Sequence, residues 1–214
     1  MKFAPKITLL RVLQYVFMSL LVAGTVLLVL KQIEYFGLAD GRPTITGWVT
    51  TADDPIRPVS LTNPAGNGDL SLLNFNQQQF LVVNLAGRGD LFHSKYLGFI
   101  LFKTLAWVCG LLVLYQMLRI FQNLNRGQTF REENIRRVQY IAFLIPAVPL
   151  TAFLAARILA GIVRSLPGYQ SVAVRPADSV EDIVGGLLTA LLIFSLVEIF
   201  RRGANLQQEQ DLTI

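Results

Sequence analysis

The sequence predicts a membrane all-α protein: a four-helix transmembrane bundle with a small extracytoplasmic β-rich insertion between helices 1 and 2. Three observations carry that expectation, namely four long apolar runs, cations gathered at their flanks, and a change of character between the first two runs. The runs are Val12–Leu30, Leu97–Leu118, Val138–Ala156 and Ile183–Phe200, of 19, 22, 19 and 18 residues. A helix rises about 1.5 Å per residue and needs about 20 residues to cover the hydrocarbon layer. With 53% of its 214 residues hydrophobic and 15% charged, the chain is too apolar for a soluble domain whose surface must be hydrated.

These runs divide the chain into six segments. Residues 1–30 form a cytoplasmic N-terminus and the first span, and residues 31–95 the extracytoplasmic β-rich segment. Residues 96–158 hold the second and third spans with a cytoplasmic hairpin between them. Residues 159–182 are a short outer loop, 183–202 the fourth span and 203–214 a cytoplasmic tail.

Lys2, Lys6 and Arg11 precede the first run, as they would in a signal peptide. The run is longer than a cleaved signal's apolar core, and its end, Val29-Leu30-Lys31-Gln32, lacks a small-x-small cleavage site, so a retained signal anchor is expected. Orientation follows from the short loops, because Lys and Arg resist translocation. Arg119, Arg126, Arg131, Arg136 and Arg137 surround the connection between the second and third runs, and Arg201 and Arg202 follow the fourth. The connection and both chain ends are therefore expected in the cytoplasm, the protein being a multi-pass membrane protein. The same topological cause accounts for the net charge of +5, so direct nucleic-acid binding is not expected.

Between the first two runs, Pro43, Pro55, Pro58 and Pro64 separate short alternating or β-branched stretches. Thr44–Thr50, Ile56–Leu61, Leu70–Phe75 and Phe80–Leu85 read as strands, punctuated by turn-formers such as Asp53-Asp54-Pro55. An isolated small sheet is marginal, so helices or a second chain must cover one face. Trp48 and Phe92 suit packing or interfacial anchoring, and Gly87-Arg88-Gly89-Asp90 suits a turn.

The connection between the second and third runs carries the strongest local signals. Asn123-Leu124-Asn125-Arg126-Gly127 reads as a helix ending, and Thr129-Phe130-Arg131-Glu132 matches a capping box. The third helix then begins before its apolar run, with Glu133 and Arg137 four residues apart and able to pair. Pro146 and Pro149 should kink or open this helix. Lys103, Arg157 and Arg164 read as snorkelling anchors, and Glu198 as a partner for Arg201 or Arg202. The single Cys109 excludes an intramolecular disulfide and reads as a buried packing thiol. Gly24, Gly110, Gly161 and Gly185-Gly186 could let helices approach one another or a second copy of the chain.

The tail, Glu198-Ile199-Phe200-Arg201-Arg202-Gly203-Ala204-Asn205-Leu206-Gln207-Gln208-Glu209-Gln210-Asp211-Leu212-Thr213-Ile214, and the connector segment Gly127–Ile135 together carry a resemblance. Most of the chain resembles a bacterial four-span membrane-protein family catalogued as domain of unknown function twenty-nine seventy-five. The resemblance implies a Gly-x-x-Phe connector, an ending in or close to Asp-Leu-Thr-Ile, and a gene beside that of a small helix-turn-helix regulator. A cytoplasmic DNA-binding partner is thereby implied; no catalytic residues are.

Function is therefore expected at the cytoplasmic face. The candidate partner-binding residues are Arg126, Phe130, Arg131, Glu133 and Arg137 of the connector, with Arg201, Arg202, Glu209, Asp211, Leu212 and Ile214 of the tail. An enzyme is not expected: the chain has no Gly-x-Ser-x-Gly, His-Glu-x-x-His or phosphate-cradling loop, and its one histidine, His93, cannot build a multi-histidine site. No metal or cofactor is expected. The leading expectation is a non-enzymatic regulator or sensor in the lipid bilayer; the alternatives are an accessory subunit of a membrane complex and a small transporter.

Overall fold

The computed structural model describes residues 9–38, 43–51, 61–62, 69–75, 78–84, 92, 94–126, 132–165, 174–176 and 180–211. Four long helices dominate: α1 (Leu9–Tyr35), α2 (Ser94–Asn125), α3 (Glu132–Ser165) and α4 (Val180–Asp211). Each contains one of the apolar runs, and all four are long and apolar enough to cross a membrane. A helix is the natural state of such runs in lipid, because it satisfies every interior N–H and C=O within its own segment. Hydroxyls in these helices are satisfied the same way: Ser19, Thr25, Thr189 and Ser195 donate back to carbonyls three or four residues earlier at 2.8–2.9 Å. Helix α3 is helical throughout Glu132–Ser165, with Pro146 and Pro149 inside it.

The helices also reach past the apolar runs. Helix α2 continues seven residues beyond Leu118, and α3 begins six residues before Val138, which extends the hairpin the sequence predicts. Helix α3 starts at Glu132 with Glu132 and Glu133 in its first turn, where carboxylates suit the positive end of the helix dipole. The capping-box residues Thr129, Phe130 and Arg131 lie outside the described residues. Helix α1 ends in a Schellman motif that sequence reading missed. Gly37 has a left-handed φ of 60°, its N–H donates to Glu34 O at 3.0 Å, and the Leu38 N–H donates to Ile33 O at 3.0 Å.

Contacts divide the chain into two compact units, and every helix contributes to both. One unit comprises Leu27–Trp107 and Pro149–Asp182. It contains the strands β1 (Thr44–Thr51), β2 (Leu61–Thr62), β3 (Asp69–Phe75), β4 (Gln78–Asn84) and β5 (Val174–Pro176), paired in the order β2-β3-β4-β1-β5. All neighbouring pairs are antiparallel, with Thr44 opposite Asn84 and Phe75 opposite Gln78.

Two corrections to the expected β-rich insertion follow. The strands are not a sheet domain of their own, because they share this unit with the ends of all four helices. Nor are they confined to the segment between helices 1 and 2, since Val174–Pro176, from between α3 and α4, pairs with β1. Residues 56–60 of the expected second strand lie outside the described residues. The first residues of β1 explain the dependence on helices. Ile45 is fully buried and Thr46 nearly so, the Tyr35 phenol hydrogen-bonds the Thr46 side chain, and the Tyr35 ring meets Phe99 edge-on at 6.1 Å. Gln32 of α1 donates to Thr104 Oγ1 of α2 at 2.7 Å. The largest fully buried side chains, Phe99, Ile45, Leu159, Ile162, Val163 and Pro43, all belong to this unit.

The other unit comprises Met1–Val26, Val108–Val148 and Ile183–Ile214. Its packing rests on fewer large side chains. Phe17 stacks on Phe121 at 5.2 Å, Phe143 meets Phe194 edge-on at 5.0 Å, and Cys109, Leu118 and Ile141 are buried. Cys109 is thus the packing thiol the sequence predicts. Gly24 alone among the four expected close-approach positions described in detail is tight: a Cβ there would lie 2.8 Å from Leu111 Cδ2, whereas one at Gly110, Gly161 or Gly185 would meet nothing within 4 Å.

Candidate partner-binding surface

The α2–α3 connection and the end of α4 both belong to the unit just described. A clasp of polar side chains holds the hairpin. Asn123 Nδ2 donates to Asn134 Oδ1 at 2.7 Å, and Asn134 is buried. About one turn further along α3, Arg137 spans the helices. It pairs with Glu133 on its own helix and donates from Nη1 to Gln116 Oε1 at 3.1 Å. Arg137 is only 16% exposed, and its Nε is buried with no partner among the described residues. Desolvating a guanidinium is tolerable only when its charge is opposed nearby, and Glu133 supplies that.

The expected site residues separate into distinct roles. Glu133 and Arg137 form the ion pair the sequence predicts, so Arg137 is a structural brace and not a free docking cation. Arg126 is exposed in the turn after α2, its N–H donating to Asn123 O at 3.1 Å. Arg202 is exposed and pairs with Glu198 at 3.0 Å, while Arg201 is exposed beside it. Glu209 and Asp211 lie on the helical backbone of α4. Phe130, Arg131, Leu212 and Ile214 lie outside the described residues.

Sequence reading missed Gln14, Gln116, Asn123 and Asn134. Their signal was available as amides at the ends of otherwise apolar helices, though only a partner at the right register gives it meaning. Asn125 Nδ2 reaches Gln14 Oε1 at 3.5 Å and so joins α1 to the hairpin. Arg119 is held on its own helix, Nε donating to Tyr115 Oη at 3.1 Å with the guanidinium 5.7 Å from the Tyr115 ring centroid.

Helix α4 shows one further property. Its apolar run closes at Phe200, yet the helix continues to Asp211 through Arg201, Arg202, Gln207, Gln208 and Glu209. Eleven residues of mostly polar helix, 201–211, therefore follow the apolar run, about 16 Å of rod at the usual rise.

Four helices of this length and composition, with polar extensions at the hairpin and at the end of α4, define a multi-pass membrane protein. The chain belongs to the family described as Protein of unknown function (DUF2975), which matches residues 75–214. The matched part begins at the last residue of β3 and takes in α2, the hairpin, α3 and all of α4, so every candidate site residue lies within it. Helix α1 and strands β1 and β2 lie outside it. Comparison with curated proteins and with solved structures gives no match.

Proposed function

We propose that this protein is a non-enzymatic membrane regulator that signals to a small cytoplasmic helix-turn-helix transcription factor through the α2–α3 hairpin and the polar end of α4. The observation that carries this reading is the eleven-residue, mostly polar continuation of α4 beyond its apolar run. A helix that served only to span the bilayer has no use for a rod of about 16 Å outside it. The rod bears Arg201, Arg202, Glu209 and Asp211 and leads to Leu212 and Ile214, a mixture suited to a small amphipathic contact.

Continuity of the chain supports the same reading, since every helix contributes residues to both compact units. The strands add a link between segments far apart in sequence, since β5 joins the α3–α4 segment to the strand that follows α1. Inner-membrane placement with both termini in the cytoplasm belongs to this proposal and rests on the distribution of Lys and Arg.

Deleting Gly203–Ile214 in the native host tests the proposal. Transcription of the adjacent genes is expected to change while the truncated protein remains in the membrane fraction; unchanged transcription with normal insertion would remove the tail from the mechanism.

A further inference from the structure

Exposed arginines from all four helices gather at one end of the hairpin-bearing unit. Three contacts set the register of neighbouring helices: Gln14 with Asn125 at 3.5 Å, Asn123 with Asn134 at 2.7 Å, and Phe143 with Phe194 at 5.0 Å between centroids. The helices run alternately in opposite directions through this unit. Counting about 1.5 Å per residue from those contacts, Arg11, Arg119, Arg126 and Arg201 fall within a band about 14 Å deep along the helix axes. Arg136 lies in the same band, level with Arg201, because each is seven residues from its member of the Phe143–Phe194 pair.

The carboxylates described in this unit are already committed. Glu132 holds Arg136 at 2.9 Å, Glu133 holds Arg137, and Glu198 holds Arg202 at 3.0 Å. Arg11, Arg119, Arg126 and Arg201 are exposed and have no carboxylate partner among the described residues. Four guanidinium groups in one band with no carboxylate partner among the described residues suit anions from outside the chain.

We propose that this band binds the phosphate groups of anionic membrane lipids. A ligand layer that surrounds the protein suits cations distributed over α1, α2, the following turn and α4; a docked protein would need them on one face. Tyr115 and Tyr140 support the same assignment. Both are exposed, and each stands four residues further toward the apolar stretch than Arg119 or Arg136 on its own helix. That sequence of ring and then cation matches the interfacial region, where tyrosine sits at the headgroup level. Tyr115 also holds Arg119 through Nε, and Gln122 Oε1 accepts from Nη1 at only 3.5 Å, a weak contact that a phosphate can replace.

The band shares Arg126 and Arg201 with the surface of the regulatory reading, and lipid retention is measured without reference to transcription. The full-length protein would be placed in nanodiscs of equal phosphatidylglycerol and phosphatidylcholine, then released into mild detergent, and its retained lipids counted by mass spectrometry. Phosphatidylglycerol is expected to be retained preferentially, and the preference to weaken with salt. Neutralising Arg119, Arg126 and Arg201 to Gln is expected to lower the preference about fivefold per arginine, the three Arg→Lys changes retaining most of it. Equal retention of both lipids by the unaltered protein would overturn the proposal, and that measurement needs no variant to fold. A preference that survives the triple Gln substitution in a normally helical protein would also overturn it. So would loss of a co-purifying soluble protein in place of lipid, which would reassign the band to a protein partner.

Discussion

At the scale of single residues, identical letters carry different work. Gly24, Gly110, Gly161 and Gly185 look alike in an apolar helix, yet only Gly24 faces a neighbour closely enough that a Cβ would fall at 2.8 Å from Leu111. Gly24→Leu is therefore expected to overpack the α1–α2 contact and cost about 1–3 kcal/mol, whereas Gly185→Leu, with open space around it, should cost nothing measurable. Buried Cys109 supplies the readout: heating in detergent with a thiol-reactive dye should show an earlier transition for Gly24→Leu only. The same assay applies to the hairpin clasp. Asn134→Ala strips the buried partner from Asn123 and should cost about 1 kcal/mol, and a transition unmoved by it would show that the 2.7 Å contact contributes no stability.

At the scale of elements, the helices were legible and their ends only partly so. The end of α2 at Asn125 agrees with the helix-ending signal at Asn123–Gly127, while the capping box before Glu132 lies mostly outside the described residues. The end of α1 did not announce itself, because a lone Gly37 after Phe36 is a weak signal until the φ of 60° and the two reverse hydrogen bonds are seen. Gly37→Val would force a β-branched residue into the left-handed region at a cost of about 1–2 kcal/mol. Amide exchange at Leu38 is expected to speed up in that variant, with exchange in the middle of α1 unchanged. The prolines of α3 show the converse case. Two residues expected to kink or open the helix sit inside one that is helical throughout, since in a bundle the freed carbonyls can be satisfied locally.

At the scale of the whole molecule, the exposed apolar side chains of α1 and α4, among them Leu27, Leu30, Leu191 and Leu192, make sense only against lipid. Orientation is the property to test here. In a Cys109→Ser background, cysteines placed at Ala4 and Ala204 are expected to react with an impermeant thiol reagent only after the inner face is exposed. A cysteine at Ala65 should react in intact cells. Reaction of Ala4 and Ala204 positions from opposite sides would contradict an even number of crossings.

The sequence by itself determined the four spans, their flanking charges, the hairpin connection and the family. These depend on sums along the chain, such as apolar length, charge per loop and the order of cap residues, and need no knowledge of neighbours. Tertiary structure alone decided that Val174–Pro176 joins β1, that Arg137 braces the hairpin through Gln116, and that Gly24 is the tight glycine. Each of those facts is a pairing between residues distant in sequence, and a pairing is fixed by the register of two elements, to which the composition of either one is blind.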